Sequence, residues 1–131
     1  MHANDVEIVR VYTRRVKSPV SDQTFPSNKG LEVVVDLEAG GTKHNDEGSY
    51  SINLVVRDLC DNNCIVLTQT KAGNFGDETW SKLDLSLPFA MKPQGSKKEN
   101  HIYEALACLT AGKKNPDVSF VRSNLFCITK P

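Results

Sequence analysis

Glu99-Asn100-His101-Ile102-Tyr103-Glu104-Ala105-Leu106-Ala107-Cys108-Leu109-Thr110-Ala111 satisfies two templates at once, and the choice between them decides the fold. As a helix, the stretch follows Ser96-Lys97-Lys98-Glu99 with capping-box spacing, and Ile102, Leu106 and Leu109 recur at helical intervals. Gly112 stands where a helix would end, and Lys113 and Lys114 suit its dipole. As a strand, the same residues place Tyr103, Ala105, Ala107 and Leu109 on one face. The strand also supplies a hairpin partner for residues 118–129 across the polar turn 112–117. Local signals slightly favour the helix, so the surrounding chain has to decide.

The surrounding chain reads as strands. Leu31, Val33, Val35 and Leu37 alternate with Glu32, Asp36 and Glu38; Tyr50, Ile52, Leu54 and Val56 alternate with Ser51, Asn53 and Arg57; Leu83, Leu85, Leu87 and Phe89 alternate with Lys82, Asp84 and Ser86. Each is the pattern of a strand with one wet face. Segments 6–16, 64–70 and 118–129 are rich in β-branched and aromatic residues. Polar or Gly/Pro-bearing breaks at 18–30, 39–48, 61–63, 72–78, 92–100 and 112–117 separate them. With 99–111 as a strand the count reaches about seven, which resembles the immunoglobulin-like number, and Tyr103 falls where such sandwiches carry a corner tyrosine. The Cys and Trp spacing of true immunoglobulin domains is missing, so the resemblance is to an architecture and not to a family. The expected fold is all-β: an immunoglobulin-like antiparallel β-sandwich forming one domain over 1–131. The alternative is α+β, with 99–111 as a helix packed on the sheet.

Length and composition agree with one domain. The chain has 131 residues, 39% of them hydrophobic and 24% charged, which is ordinary for a globular domain. Sixteen basic and sixteen acidic residues cancel, removing the global field that nucleic-acid and polybasic membrane proteins use, so no nucleic-acid partner is expected. The balance is uneven along the chain, with basic ends and an acidic middle, and leaves a locally basic terminal edge bearing Arg10, Arg14, Arg15, Arg122 and Lys130. Runs such as Leu54-Val55-Val56 are too short to cross a bilayer, so no membrane insertion is expected. The start Met1-His2-Ala3-Asn4-Asp5-Val6-Glu7 has no signal-peptide pattern, four cysteines are too few for a disulfide scaffold, and no Asn-x-Ser/Thr acceptor occurs. These features point to the cytoplasm.

Local catalytic signatures are missing. Gly40-Gly41-Thr42-Lys43 and Gly112-Lys113-Lys114 lack phosphate-loop spacing, and His2, His44 and His101 fall in the terminal tail and in or beside polar loops. Cys60 and Cys64 flank a tight polar turn at a spacing looser than a redox or zinc pair, and reduced structural thiols are the simplest reading of the four cysteines. Asp46, Glu47, Asp77, Glu78 and Asp117 would gather at one end of a sandwich, but Lys43, Lys71, Lys113 and Lys114 in the same loops would neutralise them. No catalytic residue, metal or cofactor is therefore assigned. A small enzyme would need a site assembled only in three dimensions.

Two surfaces suit binding. On the outer face of the first strand, inward Val9 and Val11 would turn Ile8, Arg10, Tyr12 and Arg14 outward, opposite Glu32, Val34, Asp36 and Glu38 of the strand at 31–38. Tyr and Arg are favoured in protein interfaces, so Ile8, Arg10, Tyr12, Arg14 and Val34 form the first candidate patch. Phe75 and Trp80, beside Asn74, Gly76, Asp77 and Glu78, could form a platform on which a sugar ring stacks, with Tyr50 and Phe25 as further available aromatics. The expected function is a non-catalytic protein-protein interaction or binding module, with a carbohydrate-binding module as the alternative.

Overall fold

The computed structural model describes residues 6–40, 48–74, 84–112 and 117–131. Nine strands are described: β1 (Val6–Arg15), β2 (Thr24–Pro26), β3 (Leu31–Ala39), β4 (Ser49–Asp58), β5 (Cys64–Asn74), β6 (Asp84–Met91), β7 (Ile102–Ala111), β8 (Asp117–Arg122) and β9 (Phe126–Thr129), with one 3₁₀ turn at Ser96–Lys98. Three strands in the order β1-β3-β6 make a smaller sheet. The larger runs β2-β9-β7-β4-β5, with β8 also paired to β7. The fold is an all-β sandwich.

Residues 102–111 are a strand. Tyr103, Ala105, Ala107, Leu109 and Ala111 all face the core, and β7 pairs with β4 along its whole length, Tyr50 opposite Ala111 through Asp58 opposite Tyr103. The capping-box sequence closes instead as the 3₁₀ turn, whose side chains make no cap hydrogen bond. A central position in the larger sheet satisfies the backbone groups on both edges of β7, and this tertiary gain overrides a slight local helical bias.

Alternation forecasts the inward residues well. Val33, Val35 and Leu37 of β3, Ile52, Leu54 and Val56 of β4, and Phe89 and Met91 of β6 meet in one core. Three features differ from the expectation. The stretch at 118–129 is two strands, because residues 123–125 leave the ladder: the Ser123 hydroxyl accepts from the Ala105 N–H and donates to the Asn124 carbonyl. The break at 18–30 holds β2, which pairs parallel to β9 and buries Phe25 edge-on against Phe126, 6.0 Å between ring centres. Phe126 in turn meets Tyr103 edge-on at 5.6 Å. Tyr103 donates to the Gln94 side chain at 3.3 Å, not to a backbone carbonyl as a corner tyrosine does. Phe25 and Tyr50, offered above as ring platforms, are both buried.

The two sheets are joined at both sides. The Ile8 N–H donates to the Ser119 Oγ of β8 at 3.2 Å, and the Asn124 amide to Thr13 Oγ1 at 3.0 Å. Opposite, the Lys71 ammonium of β5 donates to the Pro88 carbonyl of β6 and lies 4.7 Å from the centre of the Phe89 ring. The strand ends that flank 41–47, 75–83 and 113–116 all lie at one end of the sandwich.

Candidate binding surfaces

The outer face of the smaller sheet sets Arg10 opposite Asp36, Tyr12 opposite Val34 and Arg14 opposite Glu32, while Glu38 lies opposite Glu7 and not on the side of Ile8. Its arginines are satisfied within the chain. Arg10 Nε donates to Asp36 Oδ2 at 2.6 Å, a bond that raises the Arg10 pKa, while the Ser86 hydroxyl occupies Asp36 Oδ1 at 2.5 Å. The Arg10 guanidinium also lies over the Tyr12 ring, 4.2 Å from its centre. Glu32 accepts from the Lys17 N–H at 2.9 Å and from Arg14 Nε at 3.1 Å, and these bonds, the backbone one foremost, hold its carboxyl below the usual range. Arg15 is likewise bound to Asp22.

Two members of that patch are not available on its surface. Ile8 points inward and is 5% exposed, whereas Val9, expected inside, is 50% exposed. The cause is a β-bulge: the β1–β3 register passes from Ile8 opposite Leu37 to Arg10 opposite Asp36, leaving Val9 unpaired and reversing the parity of the residues before it. Val34 lies on the outer face but is 1% exposed. Phe75 and Trp80 lie outside the described residues, as do Asp46, Glu47, Asp77 and Glu78.

The outer face of the larger sheet was not anticipated. Cross-strand rows there run Asn53–Cys108–Phe120, Val55–Leu106–Arg122 and Arg57–Glu104. They enclose an open hollow of about 530 Å³ lined by Asn53, Val55, Leu106, Cys108, Phe120 and Arg122. Phe120 is 74% exposed and Val118, also on this face, is exposed too. Arg57 bonds Glu104 at 2.8 Å on one flank, while Arg122 has no ion-pair partner among the described residues. The alternation Val118, Phe120, Arg122 against Ser119, Val121 was present in the sequence, but its parity is ambiguous. Ser119 turns inward because it accepts the Ile8 N–H, and Val121 packs on the core, so the phenylalanine is left outside.

Titratable groups converge at the other end of β4. Asp58, with no exposed surface, accepts from His101 Nδ1 at 2.7 Å, Lys98 Nζ at 3.1 Å and the Cys60 N–H at 3.0 Å. Burial alone would raise its pKa, but the bonds from His101, Lys98 and Cys60 together hold it below the usual range. Lys98 also reaches Asp61, and its two carboxylate partners raise its pKa. Tyr103 nearby is pushed up to about 12, first by burial and then by the Asp58 charge. These groups close on one another at the turn linking β4 to β5, a structural clamp. The same turn carries Cys60 and Cys64, both free and exposed; Cys108 and Cys127 are free and half-buried. Among the described residues no group of three or more metal-ligating side chains occurs. No helix among them is long and apolar enough to cross a membrane.

No protein-family profile matches the chain, and no curated protein matches it in sequence. Solved structures do share its fold. It is similar to part of a glycosyl hydrolase family 2 member from Bacteroides cellulosilyticus DSM 14838, at TM-score 0.56 and 13% identity over 89% of this chain and 15% of that one. It is also similar to part of a putative beta-galactosidase from Bacteroides fragilis, at TM-score 0.59 and 10% identity over 94% of this chain and 17% of that one. A Bifidobacterium dentium beta-glucuronidase complexed with coumarin-3-O-glucuronide matches at TM-score 0.50 and 12% identity, over 95% of this chain and 18% of that one. The chain spans less than a fifth of each protein, and the likeness is one of β-sandwich fold.

Proposed function

We propose that the chain is a non-catalytic protein-binding module whose recognition surface is the outer face of the larger sheet. The observation that carries this reading is the exposed Phe120 ring beside an apolar hollow floored by Val55, Leu106 and Cys108. A large ring left in water on a sheet face loses the free energy that burial would give, and such patches mark interaction sites. Arg122 at the rim, with no ion-pair partner among the described residues, selects a partner that offers an acidic group next to an apolar anchor. The Arg10, Tyr12 and Arg14 face is the weaker choice, since Asp36 and Glu32 already neutralise its arginines. Peptides selected by phage display on the wild-type chain should combine an aliphatic or aromatic anchor with Asp or Glu, and should fail to bind Phe120→Asp and Arg122→Glu. Peptides that bind both variants unchanged would place recognition elsewhere.

A carbohydrate reading has a narrower support. A hollow of about 480 Å³ at the end of the larger sheet is lined by Ser49, Ser51, Asn74 and Thr110, whose hydroxyls and amide suit sugar hydroxyls, and Phe75 follows Asn74 in the chain. Its test is Trp80 fluorescence across a glycan panel, where a flat response counts against it.

A further inference from the structure

We propose that β5 is an open sheet edge at which a second copy of this chain adds antiparallel, joining the two larger sheets about a two-fold axis. β5 is eleven residues long, pairs only with β4 among the described residues, and has no buried residue along its length. The other outer strands are blunted. β1 has the Val9 bulge and is tied to β8 through Ser119; β6 has Pro88 in mid-strand; β2 is three residues long and ends in Pro26. Proteins use such devices to keep edges from pairing; on β5 the bulge at Val66 lies near one end and Lys71 is turned away from the edge, which leaves residues 67–74 as a long regular stretch.

The sequence of the edge suits self-pairing. Residues 64–74 hold one charge, Lys71, and its ammonium is turned to the Pro88 carbonyl and Phe89 ring, so no free charge guards the edge. The bulge of β5 at Val66, where the register passes from Val56 opposite Leu67 to Arg57 opposite Ile65, confines flat pairing to residues 67–74. Opposed residues must share a face, so an axis at Thr70 sets Thr68 opposite Ala72, Gln69 opposite Lys71 and Leu67 opposite Gly73. No like charges oppose each other in that register, and threonines at the centre favour strand pairing. The formal net charge of zero leaves no long-range repulsion between copies. An edge contact buries little surface, so the dimer is weak and concentration-dependent.

Sedimentation equilibrium across a dilution series should show the mass rising from 14.5 kDa toward twice that value. Thr68→Lys combined with Ala72→Lys sets lysines of the two copies opposite each other twice at the joined edge and should weaken association about tenfold or more without lowering the melting temperature, both residues being exposed. Thr110→Lys, on the same face but away from the edge, should dimerise as the wild type does. Amide exchange in the wild type offers a second measurement, with protection of residues 67–73 rising with concentration. The proposal is overturned by a wild-type mass that stays at 14.5 kDa, by a double-lysine variant that still dimerises, or by a dimer lost in Phe120→Asp alone. The first two outcomes leave the Phe120 reading intact, so the two proposals fail separately.

Discussion

Val9 shows how one residue can invert a surface. Strict alternation from Val11 places Val9 inside and Ile8 outside, but the bulge inserts Val9 and sends Ile8 into the core. The consequence is measurable: Ile8→Ala should cost about 2–4 kcal/mol in denaturant unfolding, whereas Val9→Ala should stay within roughly 0.5 kcal/mol. Equal costs would mean the bulge is misplaced. Asp58 is the second decisive residue, because its buried carboxylate ties β4, the 3₁₀ turn and the start of β7 together. Asp58→Asn removes the charge that balances Lys98 and should destabilise by about 2–4 kcal/mol, read as a drop in unfolding midpoint. By contrast Arg10→Ala, which deletes an exposed pair, should shift stability by less than about 1 kcal/mol.

At the level of elements, β7 carries the lesson. The alanines of residues 99–111, strong helix formers in isolation, are the ones the sandwich needs small: Ala105, Ala107 and Ala111 all face the core from the middle of the larger sheet. Ala105→Leu, a change that would strengthen an isolated helix, should therefore overpack the core and cost about 1–3 kcal/mol in thermal or denaturant unfolding. A stabilised variant would contradict the packing described. β2 and β8 illustrate the reverse case. Phe25 lies in a polar break of the sequence and Phe120 in a strand-like run, yet Phe25 plugs the core beside Phe126 and Phe120 stands in water. What separates them is the parallel pairing with β9 and the inward serine at 119, contacts more than a hundred residues apart in sequence.

For the whole molecule, part of the neutral sum of charges resolves into local pairs. The basic first strand lies on the acidic third, and Arg10, Arg14 and Arg15 are each matched by a carboxylate. Asp58, Glu32 and Asp22, the last held low chiefly by the Gln23 N–H, all have folded pKa values below their ordinary ones. Such groups bind fewer protons folded than unfolded. Their stabilisation is complete above the unfolded carboxylate value near ~4 and is lost as pH falls through it toward the folded values. The melting temperature should accordingly hold between about pH 7 and 5 and fall below about pH 4, with a shallower fall in Asp58→Asn. An acid limb unchanged by that substitution would remove Asp58 from the account.

The sequence by itself determined the strands and their inward faces, since alternation at 31–38, 50–57 and 83–89 is the direct imprint of a pleat with one wet side. It also set the arginines of β1 against the acids of β3, while the residue-by-residue pairs, Arg10 on Asp36 and Arg14 on Glu32, came with the structure. Tertiary structure alone decided that Val9 bulges and that Phe120 is left in water, and at 102–111 it completed, by pairing with β4, a strand that the surrounding strands already favoured over a slight local helical bias. Each of these rests on a hydrogen bond between distant parts of the chain: the Ile8 N–H, next to the bulge, donates to the Ser119 hydroxyl that leaves Phe120 outside, and the β7 backbone pairs with β4. Local propensities differ by tenths of a kcal/mol, whereas a buried polar group left unpaired costs about 1–3 kcal/mol, so long-range pairing wins where the two conflict.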